Sequence, residues 1–276
     1  MDATNTSDGR RAALAARYGA DAVPPAGPWN ATLDLLAAHR SVRAFTDEPL
    51  AAGTVETLVA AAQSAATSSN MQLWSVIAVT NPATKALLGE VAHHQKHVPQ
   101  APLVLVFLAD LSRAARLGAA ESMRLEGLDY LESFVVAAMD AAIAAQNAVV
   151  AAESLGLGTV YLGAIRNDPA QVAAALKLPA GAMAVVGLVV GHIAQPGTVK
   201  PRLAQAAVLH RETYQVPDEA KLRADYDRTL AAFWEGQGRP ATGWTQAVKE
   251  RLGSVAGMHG RHRLREILQT LGFPLR

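Results

Sequence analysis

The 276-residue chain has no cysteine. Disulfides, thiolate nucleophiles, iron–sulfur clusters and cysteine zinc sites are thereby excluded, and the absence of disulfides fits a cytoplasmic setting. Aromatic residues are scarce, at 5%, although half of the chain is apolar. Much of that apolar half is alanine, which favours closely packed helices over ring-filled layers. Charge of one sign is also missing: 25 basic and 24 acidic side chains leave a net +1. Bulk attraction to nucleic acid or to a membrane surface has no compositional support. No G-x-G-x-x-G, P-loop, H-E-x-x-H, G-x-S-x-G or EF-hand pattern occurs. A nucleotide, if bound, must be held by other means.

The N-terminal stretch lacks the apolar core of a signal peptide. One run, residues 135–152, approaches membrane-span length. It carries Asp140, Gln146 and Asn147 and is rich in weakly hydrophobic alanine, so it reads as a buried helix with no membrane role. Residues 1–28 read as a polar arm whose Pro–Pro and Gly–Pro steps form a linker. Helices are expected over about 30–38, 52–66, 130–155 and 218–235, with shorter ones after Asn81 and Asp168. Apolar runs at 75–80, 103–110, 159–163 and 182–193 read as strands. The run at 103–110 is unbroken, as in a strand covered on both faces. Residues 111–129 read as a variable segment. Helices alternating with four apolar runs imply an α/β or α+β fold around one sheet.

Two basic pairs stand out, Arg40 with Arg43 and Lys200 with Arg202. Guanidinium forks match phosphate oxygens and lysine adds a point charge. Each pair is equally at home as a solvated surface pair. The hydroxyl- and amide-rich run at 67–72 can bond a heteroaromatic edge, or simply close a helix end. His93 and His97 would share one face of a helix, the spacing of metal ligands, but no third ligand lies nearby in sequence. No metal is therefore assigned. Ser41, His39 and Asp140 have the residue types of a hydrolytic triad, but nothing in their setting supports one.

Five segments in order carry a resemblance: HRSVRAFTDEPL, SAATSSNMQ, QKHV, AAQNAVVAAESLGLGTVYLGAIRNDP and KPRLAQAAVLHRETY. Together they resemble the oxygen-insensitive group A nitroreductases and the related NADPH-dependent FMN flavin reductases, closely over 30–214 and more loosely beyond. The resemblance implies an α+β fold with a mostly antiparallel central sheet flanked by helices, a long central dimerisation helix, and a homodimer with FMN at the subunit interface. Residues 1–28 lie upstream of the usual family start; the resemblance implies an FMN-binding core at 29–214 and a C-terminal helical excursion at 215–276 near the nicotinamide or acceptor pocket.

Carried over residue by residue, it assigns FMN contacts to His39, Arg40, Ser41 and Arg43, to Thr67, Ser68 and Ser69, to Gln95, to Tyr161, Leu162, Gly163 and Ala164, and to Lys200 and Arg202. Arg43, Lys200 and Arg202 would hold the phosphate. Ala164 stands where the family has a second glycine. Asn70, Arg239 and Arg261 (or Arg263) would face NADPH or the acceptor. Gln237 occupies a position that is usually arginine, so NADPH and NADH both stay open as donors. The implied activity is ping-pong hydride transfer to nitroaromatic, quinone or flavin acceptors, with no catalytic side chain. Three alternatives stand beside it: a flavin reductase feeding a partner monooxygenase, a flavin-binding protein without turnover, and an enzyme specialised on one metabolite.

Overall fold

A computed structural model of the chain describes residues 3–25 and 27–276. Helix α1 spans Ala3–Tyr18, α2 Ala31–Ala38 and α3 Thr54–Gln63. Strand β1 (Trp74–Val79) leads to α4 (Pro82–Val91), the single turn α5 (His97–Gln100), β2 (Leu103–Asp110) and α6 (Ser112–Ala120). The long α7 (Leu131–Ser154) is followed by β3 (Gly158–Leu162), α8 (Pro169–Leu176) and β4 (Ala182–Gly191). Helices α9 (Glu219–Glu235), α10 (Trp244–Leu252) and α11 (Leu264–Thr270) complete the chain. The fold is α+β, as expected. The chain divides into two compact units: a helical one of Met1–Arg40 with Thr198–Met258, and a sheet-bearing one of Ser41–Gly197 with His259–Arg276.

In the sheet unit four strands run in the order β1-β2-β4-β3, every neighbouring pair antiparallel. All eight residues of β2 are buried, which explains its unbroken apolar sequence. Successive strand residues point to opposite faces. Val104, Val106 and Leu108 accordingly enter one core with Leu88, Val98, Val160 and Leu162. Leu103, Leu105 and Phe107 enter the other, against Leu58 and the alanines of α7. Small residues at 141, 144, 145, 148 and 152 line the buried face of α7 and let its backbone lie close to the sheet. This helix is long and apolar enough to cross a membrane by length and composition; here one face is spent on the core.

Local chemistry accounts for the ends of the elements. Asn81 and Asp168 cap α4 and α8, each followed by proline at the first helical position. Gly156, at φ 77°, ends α7 while Leu157 N–H donates to Ala152 C=O. A side chain on Gly158 would meet Val42 at 2.9 Å, so glycine there lets the segment after Arg40 lie against β3. That approach is fixed by a parallel bridge between Ser41 and Thr159 and by Val42 N–H donating to Thr159 C=O at 2.9 Å.

Two segments differ from expectation. Residues 111–129 contain the regular helix α6, which begins where Asp110 accepts from both the backbone and the hydroxyl of Ser112. Burial pushes the Asp110 carboxyl up, but the hydrogen bonds from Ser112 and Ser75, with Arg113 nearby, outweigh it and hold the group below its usual range. The expected arm is largely helical. Its alanines and arginines are good helix formers, and from Val23 the Pro-rich part is irregular; residues 1–2 and Ala26 lie outside the described residues.

Candidate functional site

The sheet unit gathers much of the expected cofactor set. Ser41 is fixed beside β3, and two residues on, Arg43 is exposed to solvent. Arg43 acts on His97, whose imidazole is held below its ordinary value first by burial and then by this cation. The Nε2 atom of His97 is buried without a hydrogen-bond partner. His97 starts α5, while His93 lies past the end of α4 with φ 61° and packs its ring edge on His259 at 4.6 Å. The two histidines therefore share no helix face. Gln95 sits half-buried between them, its N–H donating to Gly89 C=O.

The polar turn after α3 has an unusual backbone. Ser69, Asn70 and Gln72 adopt φ of 50°, 52° and 51°, a region that non-glycine residues enter at a cost of about 1–3 kcal/mol each. Helix α7 stabilises the turn: Asp140, buried in that helix, accepts from the Ser68 N–H at 3.0 Å. From α6, Arg113 donates to Gln72 C=O at 3.0 Å. Thr67 is half-buried, whereas Ser68, Ser69 and Asn70 face solvent. Asp140 is thus a structural acceptor for this turn.

Tyr161 leaves β3 with 38% of its surface exposed and donates to Gln146 of α7 at 3.3 Å. Burial, then the Glu153 carboxylate, pushes its phenol up to about 12, so it stays protonated at any working pH. Leu162 is buried in the core, which leaves only its backbone for a ligand. Gly163 and Ala164 open the short 3₁₀ turn Gly163–Asn167. Asn167 donates to Val91 C=O and accepts from Arg261 Nε at 2.9 Å. Arg261 thereby ties the C-terminal segment to this turn, and Arg263 pairs only loosely with Glu266 at 3.6 Å.

The helical unit holds the remaining expected residues. Lys200 Nζ and the Arg239 guanidinium lie 4.7 and 4.4 Å from the centre of the Trp234 ring, so two cations share one indole. Gln237 accepts from the Thr198 hydroxyl at 2.8 Å. Arg202 donates to the carbonyls of Lys200 and Pro201, both at 3.2 Å. His39 is half-buried and Arg40 is exposed. A cavity of about 440 Å³ lies between α9, α10 and the loop bearing Leu203 and Tyr214; one of about 360 Å³ in the sheet unit is lined by Leu111, Met123 and Gly181. Neither is lined by an expected flavin contact.

His97, Asp140, Arg113, Trp234 and the arm residue Arg17 were not among the expected site residues. His97 had a signal, being inside QKHV. Asp140, Arg113 and Arg17 act through partners remote in sequence, as does Trp234 through Lys200, and no local pattern reveals them.

The comparisons with known proteins bear on the family and the fold. The Nitroreductase family profile matches residues 36–192, and the Nitroreductase family, C-terminal domain, matches 200–276. The chain belongs to the nitroreductase family. It is 38% identical to an FMN reductase [NAD(P)H] of Bacillus subtilis over 88% of this chain and 98% of that one. It is 39% identical to an oxygen-insensitive NADPH nitroreductase of Salmonella typhimurium over 80% and 90% of the two chains. Among solved structures, NfrA2 of B. megaterium superposes with a TM-score of 0.85 at 39% identity, covering 90% of this chain and all of that one. The NADPH:FMN oxidoreductase of Vibrio harveyi, complexed with NAD+, gives 0.80 at 33%, covering 90% and 100%.

Proposed function

We propose that the chain is an FMN-dependent oxidoreductase that passes reducing equivalents from NADPH or NADH to nitroaromatic, quinone or flavin acceptors. The observation that carries this reading is the conjunction of family membership with the arrangement around Ser41, Arg43 and His97. The residues present fit the cofactor. The exposed Arg43, two residues from the fixed Ser41, suits an anionic oxygen. The exposed hydroxyls of Ser68 and Ser69 and the exposed Tyr161 offer polar and aromatic surface to a ring system. FMN, when bound, supplies the two-electron redox chemistry.

The chain's own residues bind and orient. Arg43 neutralises phosphate, and the 67–72 turn, held by Asp140 and Arg113, presents its hydroxyls and Asn70 in a fixed geometry. Ser41, Gln95 and the backbone of Leu162, Gly163 and Ala164 are proposed as further flavin contacts. His39, Arg40, Lys200 and Arg202 keep their proposed roles by resemblance, as do Arg239 and Arg261 toward donor or acceptor and the division at 29–214 and 215–276. No side chain is assigned a proton-transfer step.

A homodimer belongs to the proposal. Leu131, Val135, Met139 and Ile143 repeat every fourth residue along α7 and are all exposed, up to 58% at Met139. Such an apolar stripe is suited to a second copy. A cytoplasmic location accords with a sequence that needs no disulfide.

Anaerobic addition of NADPH and of NADH to the protein with FMN bound tests the reading: bleaching of the yellow flavin by one donor or both is expected. A protein that takes up no FMN, or whose flavin neither donor bleaches, is a binding module or an altered site. A second reading, delivery of reduced FMN to a partner, is favoured by the names FMN reductase [NAD(P)H] and NADPH-flavin oxidoreductase among the relatives. Faster turnover with free FMN than with a nitroarene or quinone would select it.

A further inference from the structure

Arg17 belongs to α1, in the arm that precedes the matched family region. Its side chain is 8% exposed, unusual for an arginine. The guanidinium donates to three backbone carbonyls: Ala37 and His39 at 2.7 Å each, and Lys200 at 3.0 Å. Its own carbonyl accepts from the Arg202 N–H at 2.7 Å. One residue thus joins two segments lying more than 160 residues apart in the chain. These segments carry His39 and Arg40 on one side, Lys200 and Arg202 on the other. All of them lie in the helical unit.

We propose that Arg17 is a positioning residue for phosphate recognition, holding the His39–Arg40 and Lys200–Arg202 backbones at a fixed spacing. Basic side chains gathered for an anion repel one another when the anion is absent. A planar fork bonded to backbone carbonyls on both segments opposes their separation without neutralising the charges they present. The stem of Arg17 is buried, so the fork loses little further freedom on holding that geometry. The inference rests on the reading of Lys200 and Arg202 as phosphate ligands and of His39 and Arg40 as neighbouring FMN contacts. It gives the arm a function in binding, exerted through the two segments it joins.

FMN and riboflavin share a ring and a ribityl chain and differ in the phosphate, so their affinities isolate that group. For the full-length protein stripped of flavin, the Kd of each would be measured by flavin fluorescence in the unaltered chain, in Arg17→Ala and in Arg17→Lys. Arg17→Ala should weaken FMN about tenfold and riboflavin less than twofold. Arg17→Lys keeps the cation but loses the fork, and should fall between. Hydrogen exchange of residues 37–40 and 200–202 should quicken in Arg17→Ala, with β2 unchanged. Equal weakening of both flavins would reduce Arg17 to a general structural role. An unchanged FMN-to-riboflavin ratio in both variants would likewise overturn the proposal. An unaltered chain that binds the two flavins equally would instead remove the phosphate role from the basic segments themselves, and Arg17's role with it. Should Arg17→Ala not fold, Arg17→Lys carries the same comparison.

Discussion

The two compact units are built on different principles. In the sheet unit β2 is buried along its whole length, two apolar layers cover its faces, and nine residues of α7 are buried. In the helical unit the 17-residue α9 buries Leu230 alone, and α10 buries none of its residues. Its organisation is polar. Arg10 lies 5.0 Å over the Trp29 ring, Asp227 accepts from the backbone and hydroxyl of Thr245, and Trp234 gathers Lys200 and Arg239. Burial pushes the Asp227 carboxyl up, but the bonds from Thr245 outweigh it and hold the group below its usual range. An apolar core resists local opening, whereas caps and charged contacts on a solvated surface yield first. The expected flavin contacts divide between the two: Arg43 and the 67–72 turn stand on the apolar framework, Lys200 and Arg202 on the polar one.

The largest expected effect tests that contrast directly. Phe107→Ala, at a site with no exposed surface, should lose about 3–5 kcal/mol of stability in denaturant titration. Leu252→Ala in α10, at a residue 71% exposed, should stay within about 0.5 kcal/mol; similar losses at both would dissolve the distinction. Met139→Asp should place an unpaired charge in the proposed subunit contact and oppose association by about 3 kcal/mol or more. Light scattering at micromolar concentration should then report a monomer, and an intact dimer would move the interface elsewhere. Next comes Arg43→Ala. Loss of a charge-assisted bond, about 1.5–3 kcal/mol, should raise the FMN Kd roughly ten- to a hundredfold, measured by equilibrium dialysis. Arg239→Ala in the helical unit should raise the KM for NADPH severalfold and leave that for NADH nearly unchanged. Equal effects would deny Arg239 the 2′-phosphate.

The smallest effect is in pH. His97 is held below its ordinary value by burial and by Arg43. The unfolded chain therefore binds a proton that the folded chain refuses. The stability contributed by the neutral imidazole is full above about pH 6.5 and is lost as pH falls toward the folded value. His97→Gln should flatten the stability–pH slope of the FMN-free protein just below pH 6.5. An unaltered slope would show that the histidine titrates alike in both states.

Strands and long helices were legible because each rests on a local pattern. The run 103–110 coincides with β2, and α7 falls within a residue or so of its expected ends, closed by Gly156. The arm's helix and its anchoring were not legible, because what orders Arg17 is a set of carbonyls at Ala37, His39 and Lys200, invisible to any window. Helix α6 was missed because its start depends on Asp110 and Ser112 at a strand end. The candidate site was legible only in part. Motifs named Arg43 and the serine turn; the Asp140 contact that holds that turn, and the indole beneath Lys200 and Arg239, required the fold.

The stripe on α7 has a chemical consequence. Met139 is its most exposed member, and in a chain without thiols a thioether is the softest target for peroxide. Sulfoxidation would set a polar, chiral group in an apolar seam. In the free chain, where Met139 is exposed, such oxidation would oppose the proposed association, and enzymatic repair would reverse it.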